Sequence, residues 1–177
     1  MKTIKIILGI TGSVAAYKTP EIVRCFVKEG VEIYPVLTAA AADFVGPLAL
    51  EAVACKEVPS FVNKSAPRYF KYLELAKTAD LILIAPATAN IIAHIAHGFA
   101  SDLLETLVLA RACPLVIAPA MNERMWLNEV TQENVKKLQS LGAQFINPGK
   151  GDLACGEEGI GRLADIDDIV NKCLTMF

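Results

Sequence analysis

The chain has 177 residues, of which 54% are apolar and 20% charged, with a formal net charge of −2 at neutral pH. That length buries a core without staples, since a domain of about 150 residues hides roughly two thirds of its unfolded surface, and it predicts one domain spanning residues 1–177. The charges are interspersed, with no basic stripe and no polybasic tail, which excludes nucleic acid and lipid headgroups as partners and leaves a small molecule.

In chain order, Ile4 to Leu8 is a short β-branched run ending in Gly9. Ser13 to Gly30 follows, with Ile22, Val23, Phe26 and Val27 at helical spacing. Val31 to Leu37 reads as a second strand and Ala40 to Ala54 as a helix. Lys56 to Phe70, with Pro59 and Pro67, reads as a loop with room for one short strand. Ala79 to Ala85 is a third strand, Ile91 to Ala96 and Leu103 to Ala112 are helical, and Pro114 to Ala118 is a fourth strand. Glu129 to Leu141 is helical, Gln144 to Ile146 is a short fifth strand, and Ile166 to Leu174 is a last helix. Strands this apolar on both faces, alternating with helices, predict an α/β fold in three layers, a parallel sheet between helices.

The N-terminal apolar stretch after Lys2 and Lys5 runs into a glycine turn instead of a cleavage site, so it is expected to be a buried strand of a cytoplasmic protein. Apolar runs such as Leu81 to Ala87 fall far short of the ~20 residues that cross a bilayer. Five cysteines without a C-x-x-C pair argue against a disulfide framework and a metal site. The excess of apolar residues predicts subunit contacts and hence a homo-oligomer.

In a parallel sheet, ligands sit beyond the carboxyl ends of the strands, and the residues there are suggestive. After the first strand comes Gly9-Ile10-Thr11-Gly12-Ser13, where glycine lets a ligand approach the backbone. It is neither a dinucleotide fingerprint nor a P-loop, and alone it is equally a structural turn. Thr38 follows the second strand, Pro86-Ala87-Thr88-Ala89-Asn90 the third, and Pro119-Ala120-Met121-Asn122 the fourth. Singly, each of these is more often a helix cap or a core residue. Together, small residues and hydroxyls at neighbouring strand ends suit a flat ring system with its phosphate.

The strings GITGSVAAYK, APATAN, PAMNERMW and DLACGEEGIGR resemble the flavin-dependent cysteine decarboxylases, and among them the phosphopantothenoylcysteine decarboxylases of coenzyme A biosynthesis. PAMNERMW matches that family's PxMNxxMW motif at every fixed position. APATAN is similar to its PASANT motif, with Thr88 for Ser and Ile91 for Thr. The resemblance implies a Rossmann-like, flavodoxin-like fold binding FMN through Gly12, Ser13, Val14, Thr38, Thr88, Ala89, Asn90, Ala120 and Met121. It also implies trimers or multiples of trimers, and a free-standing decarboxylase.

The resemblance further implies that Asn122 holds the departing carboxylate and that Cys155 is a proton donor in a glycine-rich flap with Gly149, Gly151, Gly156, Gly159 and Gly161. The other four cysteines are expected to be inert core thiols. The family's active-site histidine is replaced by Tyr72, whose phenol, near pH ~10, serves as a hydrogen-bond donor rather than as a base. His94 and His97 fall on the helix after APATAN and are expected at its surface or an interface. Three functions stay open: decarboxylation of phosphopantothenoylcysteine, decarboxylation of a peptide C-terminal cysteine, and a non-catalytic flavin-binding regulatory subunit.

Overall fold

The computed structural model describes residues 3–58, 68–152, 156 and 158–177, with the backbone alone for 68–72 and 152. Five strands form one sheet: β1 (Lys5–Ile10), β2 (Glu32–Leu37), β3 (Leu81–Ala87), β4 (Leu115–Pro119) and β5 (Gln144–Phe145). All pairs are parallel and the order is β2-β1-β3-β4-β5, the order of flavodoxin-like folds. The helices are α1 (Thr19–Lys28), α2 (Pro47–Ala54), α3 (Arg68–Thr78), α4 (Ala89–Ala96), α5 (Leu103–Leu109), α6 (Glu123–Leu127), α7 (Glu129–Ser140) and α8 (Ile166–Leu174). A separate antiparallel hairpin joins β6 (Gly149–Asp152) to β7 (Glu158–Arg162).

The sheet lies between two apolar layers because successive side chains of each strand point to opposite faces. Leu81 and Leu83 of β3, with Ile6 and Leu8 of β1, pack against Ile22, Val23 and Phe26 of α1, Leu50 of α2, and Ile169 and Cys173 of α8. Ile82 and Ile84, with Ile7, Leu115 and Ile117, pack instead against Ile91 and Ile92 of α4, Leu104 and Leu107 of α5, and Leu138 of α7. The alternation of β3 breaks at its end, where Ala87 joins the side of Ile84 and the register with β4 shifts. At the sheet edges, β2 contains Pro35 and β5 is two residues long.

Several expectations need correction. The predicted helix over 13–30 is divided into a 3-10 turn (Val14–Lys18) and α1, with a proline in the first turn of α1. Proline has no N–H to donate and a fixed φ, so it starts a new helix more readily than it continues one. The predicted helix over 40–54 is likewise divided, into a 3-10 turn (Ala39–Asp43) and α2, by Gly46 and Pro47. The helix α3 occupies a stretch whose first residues were expected in a loop. Among its described side chains, Ala76 is buried and Leu75 is half-buried, both on the layer of Ile82 and Ile84. The predicted loop's residues 59–67 lie outside the described residues.

The cysteines also differ from expectation. Among the described cysteines only Cys173 is buried, and burial pushes its thiol up to about 12. Cys25 and Cys113 are half-buried, burial again raising Cys113, while Cys55 is exposed at the end of α2 with φ 50°. Among the described residues, no helix is long and apolar enough to cross a membrane.

The central position of Leu83, fully buried in the middle strand, sets a test of this core. Leu83→Ala is expected to lower stability by about 2–5 kcal/mol. The measurement is the urea midpoint, with an unchanged slope showing that the denatured state is the same.

Candidate functional site

The strand β1 pairs with β2 on one side and β3 on the other, and the chain leaves β1 toward α1 on one face of the sheet and β3 toward α4 on the other face. Such a switch point opens a crevice outside the strand ends. Thr11 sits in it, 2% exposed. Its hydroxyl donates to the Pro86 carbonyl at 2.7 Å and accepts the Thr88 N–H at 3.1 Å. One side chain thereby fixes the turn after β1 to the turn after β3.

Further backbone bonds extend this link across the sheet. Thr38 N–H donates to the Ile10 carbonyl at 2.9 Å, tying the end of β2 to β1. Ala120 N–H donates to Ala87 at 3.0 Å, tying β4 to β3, and Met121 N–H donates to Gly161 of β7 at 2.9 Å. The seam brings together the segments that carry the residues expected to hold a cofactor: Gly12, Ser13 and Val14; Thr38; Thr88, Ala89 and Asn90; Ala120 and Met121.

Within the seam, Gly12 is required by space. A Cβ there would fall 2.5 Å from the Ala40 Cβ. The Ser13 hydroxyl accepts the Ala15 N–H at 3.4 Å and the Thr88 hydroxyl accepts the Ile91 N–H at 3.3 Å, each capping the helical turn that follows. Capping uses a lone pair of each oxygen and leaves its proton for donation. Thr38 starts the 39–43 turn without a side-chain cap. Val14 and Asn90 are exposed, Ala89 and Met121 half-buried, and Ala120 is buried. Hydroxyl donors beside small residues fit a flat, singly phosphorylated group such as a flavin mononucleotide.

Asn122 stands next in the chain, where β4 gives way to α6. Its Oδ1 accepts the Arg124 N–H at 2.9 Å, a cap that uses the acceptor end of the amide. Trp126 is buried and its backbone N–H bonds the Asn122 carbonyl at 3.0 Å, so the motif's tryptophan anchors the asparagine's helix. Tyr72 lies in α3, where the backbone alone is described, and Cys155 lies outside the described residues. His94 and His97 are both at the far end of α4 from Thr88. His94 stacks on Phe99 and its Nδ1 meets the buried Glu105 at 2.5 Å. Burial raises the Glu105 carboxyl, but bonds from His94 and Ser101 outweigh it and hold the group below the ordinary range. His97 is exposed.

Two residues at the site carried no sequence signal of their own. Thr11 was one polar residue after an apolar strand, and its partners are 75 and 77 positions away. Glu123 read only as the variable residue after Asn122, yet its carboxylate accepts the Ile160 N–H of β7 at 2.9 Å.

A family model described as Flavoprotein matches residues 1–177. The chain belongs to this family. It is 44% identical over 174 residues to the coenzyme A biosynthesis bifunctional protein CoaBC of Vibrio cholerae, covering 98% of this chain and 44% of that protein. The chain thus spans about half the length of the first curated relatives it matches. A probable phosphopantothenoylcysteine decarboxylase of Streptococcus mutans is 42% identical, with 96% of this chain and 97% of that one covered. Among solved structures, a PPC decarboxylase variant complexed with pantothenoylaminoethenethiol superposes with a TM-score of 0.86 at 30% identity, covering 99% and 98% of the two chains. The FMN binding protein AtHal3 gives 0.83, also at 30%, covering 99% and 97%.

The seam makes Thr11 the residue to test. Thr11→Val keeps the shape but leaves a buried carbonyl and N–H without their partner, a loss of about 1–3 kcal/mol. The expected outcome is a lower urea midpoint together with weaker retention of FMN on gel filtration, both restored in Thr11→Ser.

Proposed function

We propose that this chain is an FMN-dependent decarboxylase that converts 4'-phosphopantothenoylcysteine to 4'-phosphopantetheine in coenzyme A biosynthesis. The observation that carries the proposal is the place of Asn122, held at the end of β4 by its own cap and one residue beyond the seam that carries the cofactor-binding segments. The match to a solved PPC decarboxylase over nearly its whole length supports the same substrate.

When bound, FMN would supply the two-electron redox chemistry for oxidising the substrate's terminal thiol to a thioaldehyde and for reducing the decarboxylated product. The Ser13, Thr38 and Thr88 hydroxyls would hold its phosphate, and Gly12, Val14, Ala89, Asn90, Ala120 and Met121 would hold the rest of the group. The Asn122 amide would donate to the substrate carboxylate and aim it out of the plane of the thioaldehyde, so that the carbon–carbon bond breaks and CO2 leaves. A neutral donor suits this task because a cation would stabilise the carboxylate before the bond breaks and so oppose the reaction. Cys155 would donate the proton as the enethiol is reduced to the saturated thiol, and Tyr72 would donate a hydrogen bond at the substrate sulfur. Electrons balance over the cycle, and the net change is loss of CO2.

We also propose a cytoplasmic homo-oligomer, a trimer or a multiple of trimers, acting as one FMN-binding domain on a small-molecule substrate. Exposed apolar side chains at Val14, Tyr17, Phe44 and Leu48, around the seam's first turns, support association there. Tyr72 in place of histidine favours a second reading, a flavin-binding subunit without catalysis.

Mixing the FMN-loaded protein with phosphopantothenoylcysteine is expected to give CO2 and phosphopantetheine in equal amounts. Asn122→Asp sets a negative charge against the substrate carboxylate and should stop CO2 release while the protein stays yellow. Cys155→Ser should release CO2 but stop at the enethiol. Tyr72→His restores a base and should raise turnover by about 10² or more. Absence of CO2 from both the parent and Tyr72→His, with FMN bound in each, overturns the decarboxylase reading in favour of the regulatory one.

A further inference from the structure

The hairpin of β6 and β7 is not part of the main sheet, and β7 meets the rest of the fold at the segment that carries Asn122. Among the described residues, two bonds join β7 to this segment, one on each side of Asn122. Met121 N–H donates to the Gly161 carbonyl at 2.9 Å, and Ile160 N–H donates to the Glu123 carboxylate, also at 2.9 Å. The second is charge-assisted, and such bonds are about twice as strong as neutral ones.

The packing at the junction is close, against backbone at Gly161 and against a side-chain end at Gly159. A Cβ on Gly161 would stand 2.1 Å from the Met121 carbonyl oxygen, and one on Gly159 would stand 2.8 Å from the Glu123 Cδ. Gly161 also has φ 147°, a conformation that side chains rarely adopt. Two glycines of β7 therefore make room for the two residues that flank Asn122.

We propose that Glu123 is a positioning residue: its carboxylate clamps β7 to the start of α6 and so fixes the direction of the Asn122 amide. The inference rests on the decarboxylase reading for its catalytic consequence, and on the geometry alone for the clamp. A segment bonded at one end only can turn about its attachment; bonded on both sides of Asn122, it holds one orientation. Misplacement of a catalytic group by about 1 Å costs on the order of 10²-fold in rate.

The test compares FMN-loaded parent with Glu123→Ala, Glu123→Gln and Gly159→Ala, by amide hydrogen exchange and by steady-state kinetics with phosphopantothenoylcysteine. Glu123→Ala removes the acceptor. Exchange should rise in both 121–126 and 158–162, and kcat should fall about 10- to 100-fold with KM changed less than about threefold, since the misplaced group acts in the transition state. Glu123→Gln keeps an acceptor oxygen without the charge and should recover most of the protection and of kcat. Gly159→Ala drives a methyl group against an intact Glu123 and should reproduce the Glu123→Ala pattern, while FMN uptake stays within about threefold of the parent in all three variants. Unchanged exchange in Glu123→Ala overturns the clamp, whatever the activity. Raised exchange with unchanged kcat overturns the positioning role. A parent that releases no CO2 yet shows the exchange pattern overturns the decarboxylase reading and supports the clamp.

Discussion

The arrangement of the site depends on one hydroxyl. Parallel strands end at a common edge, but nothing in the ladder itself fixes the loops that leave it, and the chain after β1 and after β3 runs to opposite faces, toward α1 and α4. The Thr11 side chain spans the gap at the point where they diverge, giving a proton to one turn and taking one from the next. Buried polar groups must be paired, so the same bonds that satisfy Pro86 and Thr88 also set the distance between the two turns. The backbone links from Thr38 to Ile10 and from Ala120 to Ala87 continue this constraint to the strands on either side. Residues expected to share one ligand are therefore placed by a connected set of bonds and not by four independent loops.

The core was legible because β1, β3 and β4 are apolar on both faces and the helices between them carry a broad apolar stripe. Such patterns are local and survive without knowledge of what they pack on. Where glycine replaces every second side chain, as in β6 and β7, there was nothing periodic to read. The breaks before α1 and α2 had a signal, Pro20 and Pro47, that was outweighed by the apolar spacing around them. The cysteines show the opposite error: an apolar neighbourhood in sequence was taken for burial, but Cys55 ends a helix and faces solvent.

At the site, the motifs fell at the strand ends that the seam joins, and the resemblance implied roles for residues within them. The supports behind those residues were not legible. Thr11 and Glu123 act through backbone groups of segments distant in the chain, and a backbone group has no letter in the sequence. Glu123 in particular stands at a position that the PxMNxxMW pattern leaves open, so the motif carried no expectation for it. His94 and Glu105 form another pair of this kind, a half-buried ring closing over a buried carboxylate away from the strand ends. Both residues are ordinary for helices, and only contact shows that they belong together.

The edges of the sheet have a consequence for how copies of the chain meet. A strand with open N–H and C=O groups along its border recruits further strands, and growth of that kind has no natural end. Here one border is β2, interrupted by a proline that has no N–H to offer, and the other is β5, only two residues long. Neither gives an incoming backbone a ladder to extend. The contact between copies proposed above would then fall to side-chain surfaces such as the exposed Leu48 and Tyr17. The same two borders, one broken by a proline and the other two residues long, thus protect the sheet from endless edge-to-edge addition.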